Sequence, residues 1–230
     1  MTHKLLLLVR HADAEKNALG QFAGNQASDS LTLTGATQLH RLAAELELFK
    51  TELGIESVGL ATADSNRARM TADALARFTS SAPVRISGFR SINSGIAAGL
   101  TETEIAERHP DFSNALQLYR EGVLSSYEIP YPTGAEPVMN FERDVVAALY
   151  SYLEQTNEDL RIILGHRSSI TAVLLHYARM AHNYPQQFFG FIPLDACLTS
   201  CIDITPGGER IAWVNRPLLT RHLTLKARQA

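Results

Sequence analysis

LLLLVRHADAEKN, residues 5 to 17, runs five apolar residues directly into Arg10 and His11. A short unbroken apolar run of this kind reads as a parallel strand buried on both faces. Folding alone gives no reason to end such a strand on a charged pair. In open α/β sheets, however, ligands bind just beyond the carboxyl ends of the strands. The stretch therefore predicts a type of fold and also the place in it where chemistry belongs.

Working outward, strands and helices alternate. TGATQLHRLAAELELFK (34–50) carries apolar residues at helical spacing, at Leu39, Leu42, Ala43, Leu46 and Phe49. ESVGLAT reads as a second strand, ADSNRARMTADALARFTSS as the helix after it, and VRIS (84–87) as a third strand. The alternation breaks over residues 89–135, where Gly-rich turns, a helix around FSNALQLYREG and the Pro-rich EIPYPTGAEP follow. This stretch is expected to form a helical cap, since site walls often come from such excursions. The pattern resumes with the helix PVMNFERDVVAALYSYLEQT, the strand DLRIILG and the helix SSITAVLLHYARMA. ACLTSCIDIT and RIAWVN, separated by PGGE, predict a closing hairpin. The fold class is α/β, a three-layer sandwich with a mostly parallel sheet, helices on both faces and a cap insertion. Residues 1–230 suit one domain better than two.

Composition narrows the function classes. A net charge of -3, a pI near 6.2 and no basic run argue against nucleic acid or an anionic membrane as partner. LLLLV is too short to span a bilayer and lacks the flanks of a secretory signal. Cys197 and Cys201 are the only cysteines and imply buried thiols rather than a disulfide framework. A cytoplasmic protein is expected; oligomeric state is not legible.

Three strand-to-helix junctions offer cations or imidazoles to one crevice: Arg10-His11, Arg67 in the helix after GLAT, and His166 after RIILG. Ser168 and Ser169 are placed to cap the helix that follows. Helix N-terminal amides would add to the pull on an anion. Guanidinium forks bind phosphate oxygens and spread transition-state charge. One imidazole can attack phosphorus while a second donates to the equatorial oxygens. The set suits phosphoryl transfer.

These residues resemble the histidine phosphatase superfamily, in the branch similar to phosphoglycerate mutase. LVRHADAEKN is similar to the family's RHG motif with its trailing Asn, here Asn17. FAGNQASDSLTLTGATQL resembles the G…LTxxGxxQ stretch, giving Gly24, Leu31, Thr32, Gly35 and Gln38. ATADSNRARMTADAL and ILGHRSSITAVLL resemble the segments of the second Arg and the second His, and VNRPLLTRHL the closing N…HL. The resemblance implies that His11 is a nucleophile that becomes phosphorylated, with Arg10, Arg67, His166 and Asn17 on the phosphoryl group. It implies no metal and no cofactor, and a small phosphorylated substrate.

Three departures stand out. Where the family often has LRExxxGxxEG, this chain reads FRSINSGIAAG, with Ser91 at the general-acid position and Ala98 at the second Glu. Ala12 replaces the glycine of RHG, and Arg167 the glycine after the second His. A positioned general acid contributes roughly 10²–10⁴ in rate. Its loss suggests a substrate with a good leaving group, or a substitute among Asp13, Glu15, Glu102 and Glu104. The last two read rather as solvent-facing charges in the first turn of a helix. Arg90 and Arg167 are candidate substrate contacts. A phosphatase is the leading expectation and a mutase the least favoured. A degenerate phosphate-binding or regulatory protein, or a noncanonical biosynthetic enzyme using the same anion pocket, remain alternatives.

Overall fold

A computed structural model describes residues 4–22, 29–182, 191–205 and 208–218. The first strand, β1 (Lys4–Arg10), alternates between two cores. Leu6 and Leu8 enter one apolar cluster, and Leu5, Leu7 and Val9 enter the other. The unbroken run in the sequence is thus a central strand with a helical layer on each face.

On one side pack α2 (Leu33–Leu53) and α3 (Asn66–Thr79), through Leu42, Leu46, Phe49, Ala72 and Leu75. On the other lie α6 (Val138–Gln155) and α7 (Arg167–His182), through Phe141, Val145, Leu149, Ile170 and Val173. A single-turn α1 (Glu15–Ala18) follows β1. The remaining strands are β2 (Val58–Thr62), β3 (Val84–Arg85), β4 (Leu160–Gly165), β5 (Thr199–Thr205) and β6 (Gly208–Arg216). Their order is β3-β2-β4-β1-β5-β6. Strands β1 to β4 pair in parallel, while β5 runs antiparallel to β1 and to β6. The closing hairpin is therefore present, and the sheet is mixed.

VRIS differs from its expected role. Only Val84 and Arg85 pair, both exposed at the sheet edge, and Ser87–Phe89 turns into a 3₁₀ helix. An edge strand pairs on one side only, so two residues suffice and the chain turns away early. Between β3 and α6 it builds α4 (Glu102–Arg108) and α5 (Pro110–Arg120) over a separate small core of Ala97, Ile105, Phe112, Ala115 and Ile129. Both cysteines are buried, as expected. Among the described residues, no helix is long and apolar enough to cross a membrane.

Candidate active site

Strand register explains why two distant histidines meet. β1 and β4 are parallel neighbours with Arg10 paired to Gly165, so His11 and His166 leave adjacent strand ends together. The His11 amide donates to the Gly165 carbonyl at 3.0 Å, and the imidazole centroids lie 5.1 Å apart. Gly165 has no room for a side chain: a Cβ there would press on the Phe89 ring at 2.8 Å. β2 lies on the other side of β4, so α3, which follows it, delivers Arg67 to the same place. Ser65 caps α3 by accepting from the Ala68 amide at 3.3 Å. Small buried residues, Ala68, Thr71 and Ala72, let that helix approach closely, and Thr71 Oγ1 accepts from the Ala12 amide at 3.1 Å.

The hydrogen bonds fix the tautomers. His11 Nδ1 sits 2.7 Å from the Ala12 carbonyl, which can only accept, so the proton is on Nδ1. Nε2 then keeps its lone pair and accepts from Arg67 Nε at 2.9 Å. Arg67 Nη2 lies 3.1 Å from His166 Nδ1, which must accept in turn, leaving the second histidine's proton on Nε2. Arg67 Nη1 completes the fork on buried Asp29. Arg10 donates Nη1 to the Leu194 carbonyl at 2.6 Å. Burial and then the charge of Arg167 lower its pKa to about 10, still cationic near neutrality.

Both histidines are held well below the ordinary imidazole value. For His11 the cause is burial first and the Arg67 charge second; for His166 it is burial and then His11. Half-buried His176 shifts the same way through burial. The unfolded chain therefore binds more protons than the folded one as pH falls below about 6.5. That stability is fully present above this value and is lost on acidification. Urea midpoints should fall between about pH 7.5 and pH 5.5, and fall less in His166→Gln. Equal midpoints in the parent would contradict the neutral assignments.

The loop after His11 is held by the LTxxGxxQ stretch. Thr32 donates its amide to the Asp13 carbonyl at 3.1 Å and its hydroxyl to Asp13 Oδ2 at 2.8 Å. The Asp13 amide donates to Gln38 Oε1 at 2.9 Å. Any Cβ at Gly35 would collide with the Asp13 carbonyl oxygen. Three positions of one stretch thus grip one residue. Gly24 and the stretch beyond Leu218 lie outside the described residues. The Ala12 methyl is fully buried and joins the core beneath the loop.

A pocket of about 340 Å³ opens over these groups. Arg10, His11, Asn17, Arg67, His166 and Arg167 all line it, as does Ser91. Arg90 does not: it forks onto Glu136 and lies over the Phe141 ring at 5.5 Å, away from the residues gathered on the pocket. A guanidinium whose carboxylate partner lies 46 residues further along the chain is indistinguishable, in sequence, from one left free for a ligand. Of the four substitute acids only Glu102 reaches the pocket. Glu104 closes a capping box on Thr101, and Asp13 is gripped as above. Ser168 and Ser169 fall inside the first turn of α7 rather than capping it, because the helix already begins at Arg167. Ser169 Oγ accepts from the His166 amide, and Ser168 Oγ accepts from the Ile92 amide, each at 3.1 Å, the latter tying the Ser91 segment to the site.

Two functional neighbours were not legible. Asp29 reads as a loop acid ahead of a helix, and Lys16 as a surface lysine, yet both are buried beside Arg67. Burial and the Arg67 charge lower the Lys16 pKa, and Asp29 partly offsets them.

A model of the histidine phosphatase superfamily, branch 1, matches residues 6–217. The chain belongs to that superfamily. Membership makes it an enzyme of the phosphatase class. Several solved structures share this histidine phosphatase fold. Bacillus stearothermophilus YhfR is 20% identical with a TM-score of 0.76, over 93% of this chain and 97% of that one. A mycobacterial glucosyl-3-phosphoglycerate phosphatase in complex with VO3 is 17% identical, TM-score 0.72, covering 94% and 100%. A mutant Entamoeba histolytica phosphoserine phosphatase in complex with phosphoserine is 18% identical, TM-score 0.68, covering 96% and 99%. No curated protein matches the chain by sequence.

Proposed function

We propose that this histidine phosphatase hydrolyses a small phosphorylated metabolite with an activated leaving group, through phospho-His11 and without a metal. The observation that carries the reading is the neutral His11 with its Nε2 lone pair turned to Arg67 in a pocket also lined by Arg10 and His166. A phosphoryl group entering there would take up guanidinium donors that now meet neutral imidazole nitrogens, adding ion-pair attraction to the hydrogen bonds. Arg67, Arg10 and the His166 Nε2 proton would then face the equatorial oxygens. Nε2 attacks phosphorus as the ester oxygen leaves; water later cleaves the N–P bond and releases phosphate. Arginines supply the positive charge for the transfer. Relatives of the same fold whose descriptions name phosphoserine or VO3 as the bound molecule are consistent with an anion at this place.

The leaving group is inferred from what the pocket wall holds. Ser91 cannot deliver a proton near neutrality. Glu102, the one carboxylate of the pocket wall among the described residues, accepts from Arg120 Nη2 at 2.5 Å and is mostly exposed. Its carboxylate is thus engaged by a guanidinium and by solvent rather than offered to a leaving oxygen. Aryl phosphates, acyl phosphates and phosphohistidine need little protonation and fit this wall.

The test compares p-nitrophenyl phosphate with glycerol phosphate in EDTA. The aryl ester should turn over readily and the alkyl ester slowly. Ser91→Glu should raise alkyl turnover by roughly 10²–10⁴ while changing aryl turnover little. No phosphate release from either ester, at acidic or neutral pH, would favour the phosphate-binding alternative. Fast alkyl turnover by the parent would overturn the leaving-group argument.

A further inference from the structure

Arg167 is the first residue of α7, where the helix dipole opposes a positive charge. It lines the pocket, open to solvent through the pocket mouth, with its guanidinium 5.4 Å from the centre of the Phe191 ring. Among the described residues it makes no ion pair. Asp195 and Glu102 act on it only at longer range. Asp195 instead accepts from Asn215 Nδ2 at 3.0 Å, and Glu102 from Arg120. Burial and then the Arg120 charge both work against the Arg167 cation. Dipole and like charge therefore both disfavour an arginine here unless an anion joins it.

The cations step outward from the nucleophile. Arg167 is the chief charge acting on Arg10, and Arg120 is the chief charge acting on Arg167. Arg120 is not among the main charges acting on His11 or His166. Between them the wall is apolar and aromatic: Tyr119 packs edge-on against Phe191 at 5.6 Å, with Phe112 and Tyr131 also on the pocket. The pocket is thus cationic at the nucleophile, apolar alongside, and cationic again at Arg167 and Arg120.

We infer that Arg167, with Arg120 beside it, forms a second anion subsite, so that the substrate carries a carboxylate or a second phosphate on a flat apolar body besides the phosphoryl group that His11 takes. This rests on the function proposed above. It gives the arginine that replaces the family's glycine a role in choosing substrate. An anion there relieves the repulsion between the two arginines and competes with Glu102 for Arg120.

The test uses phenyl phosphate, 4-carboxyphenyl phosphate, 1,4-phenylene bisphosphate and 4-(trimethylammonio)phenyl phosphate. Each is compared between the parent and Arg167→Glu. A glutamate at this position suits the helix dipole, so α7 should be retained. Differences in leaving group cancel in the variant-to-parent comparison. The preference in kcat/KM for a doubly anionic ester over phenyl phosphate should fall about 10- to 100-fold in the variant, the worth of one charged hydrogen bond. The trimethylammonium ester should gain on phenyl phosphate, a change that a structural role would not produce. Whichever of the carboxylate and bisphosphate esters loses more identifies the anion. If neither the parent nor the variant releases phosphate, the phosphatase reading fails, but calorimetry still measures the subsite. In His11→Ala, 4-carboxyphenyl phosphate should then bind more tightly than phenyl phosphate, and adding Arg167→Glu should remove the difference. Unchanged kcat/KM ratios between parent and variant, or an unchanged affinity difference, would overturn the inference.

Discussion

Replacing His11 with alanine should lower phosphate release by about 10⁴-fold or more, the order of loss expected when a nucleophile is removed. The same variant should still bind vanadate or phosphate, because Arg10, Arg67 and His166 all remain on the pocket. That pairing of outcomes matters. Unfolding would remove both properties, whereas loss of the attacking nitrogen removes only turnover. In the parent, rapid quenching during turnover of an aryl phosphate should trap an acid-labile, base-stable phosphoryl group, and His11→Ala should trap none. A variant that retains turnover within about tenfold would move the nucleophile elsewhere. The prediction follows from proton placement rather than from proximity alone. With Nδ1–H committed to the Ala12 carbonyl, Nε2 is the nitrogen left to attack, and burial keeps it unprotonated at neutral pH.

Much of the frame is legible before any coordinates. LLLLV and IIL (162–164) are apolar without interruption because both strands are covered on both faces, and that pattern marks the sheet centre. Helices α2, α6 and α7 follow from apolar spacing, because one stripe of each meets the sheet. Strand order is not written in any local pattern. Placing β4 between β1 and β2 depends on packing across the whole sheet, and this placement is what turns three junctions into one site. VRIS has strand composition throughout, yet only Val84 and Arg85 pair; the Ile86 amide still donates to the Thr62 carbonyl before Ser87 starts a 3₁₀ turn. The partners of charges are equally hidden. Arg90 and Arg167 look alike in sequence, but one meets Glu136 across the fold and the other, among the described residues, lies over Phe191 without an ion pair. Asp29 and Lys16 carry no periodicity at all. Each is buried because Arg67 organises the polar interior around it, a consequence of tertiary contact alone.

Arg67→Ala should cost roughly 10³–10⁵ in kcat/KM, the range for an arginine that stabilises phosphoryl-transfer charge. Its three contacts give three separable consequences. Without Nε and Nη2, no fork bridges the His11 and His166 nitrogens, so the transferring group loses the donor shared by both histidines. Without the cation that depresses it, the His11 pKa rises, and the acid limb of kcat/KM should move to higher pH. Without Nη1, the Asp29 carboxylate, only 4% exposed, is left buried with its strongest partner gone. Breaking a buried pair from one side costs about 3–5 kcal/mol. Lys16 lies close enough to influence both groups and should hold the loss toward the lower end. Adding Asp29→Asn to Arg67→Met should recover much of that stability, measured by urea unfolding, because neither partner then leaves an unpaired charge. It should recover none of the activity, since stability and transition-state charge depend on different nitrogens of one guanidinium. If the double variant regained turnover along with its unfolding midpoint, Arg67 would be acting through Asp29 and the fold, and the direct electrostatic role would fall.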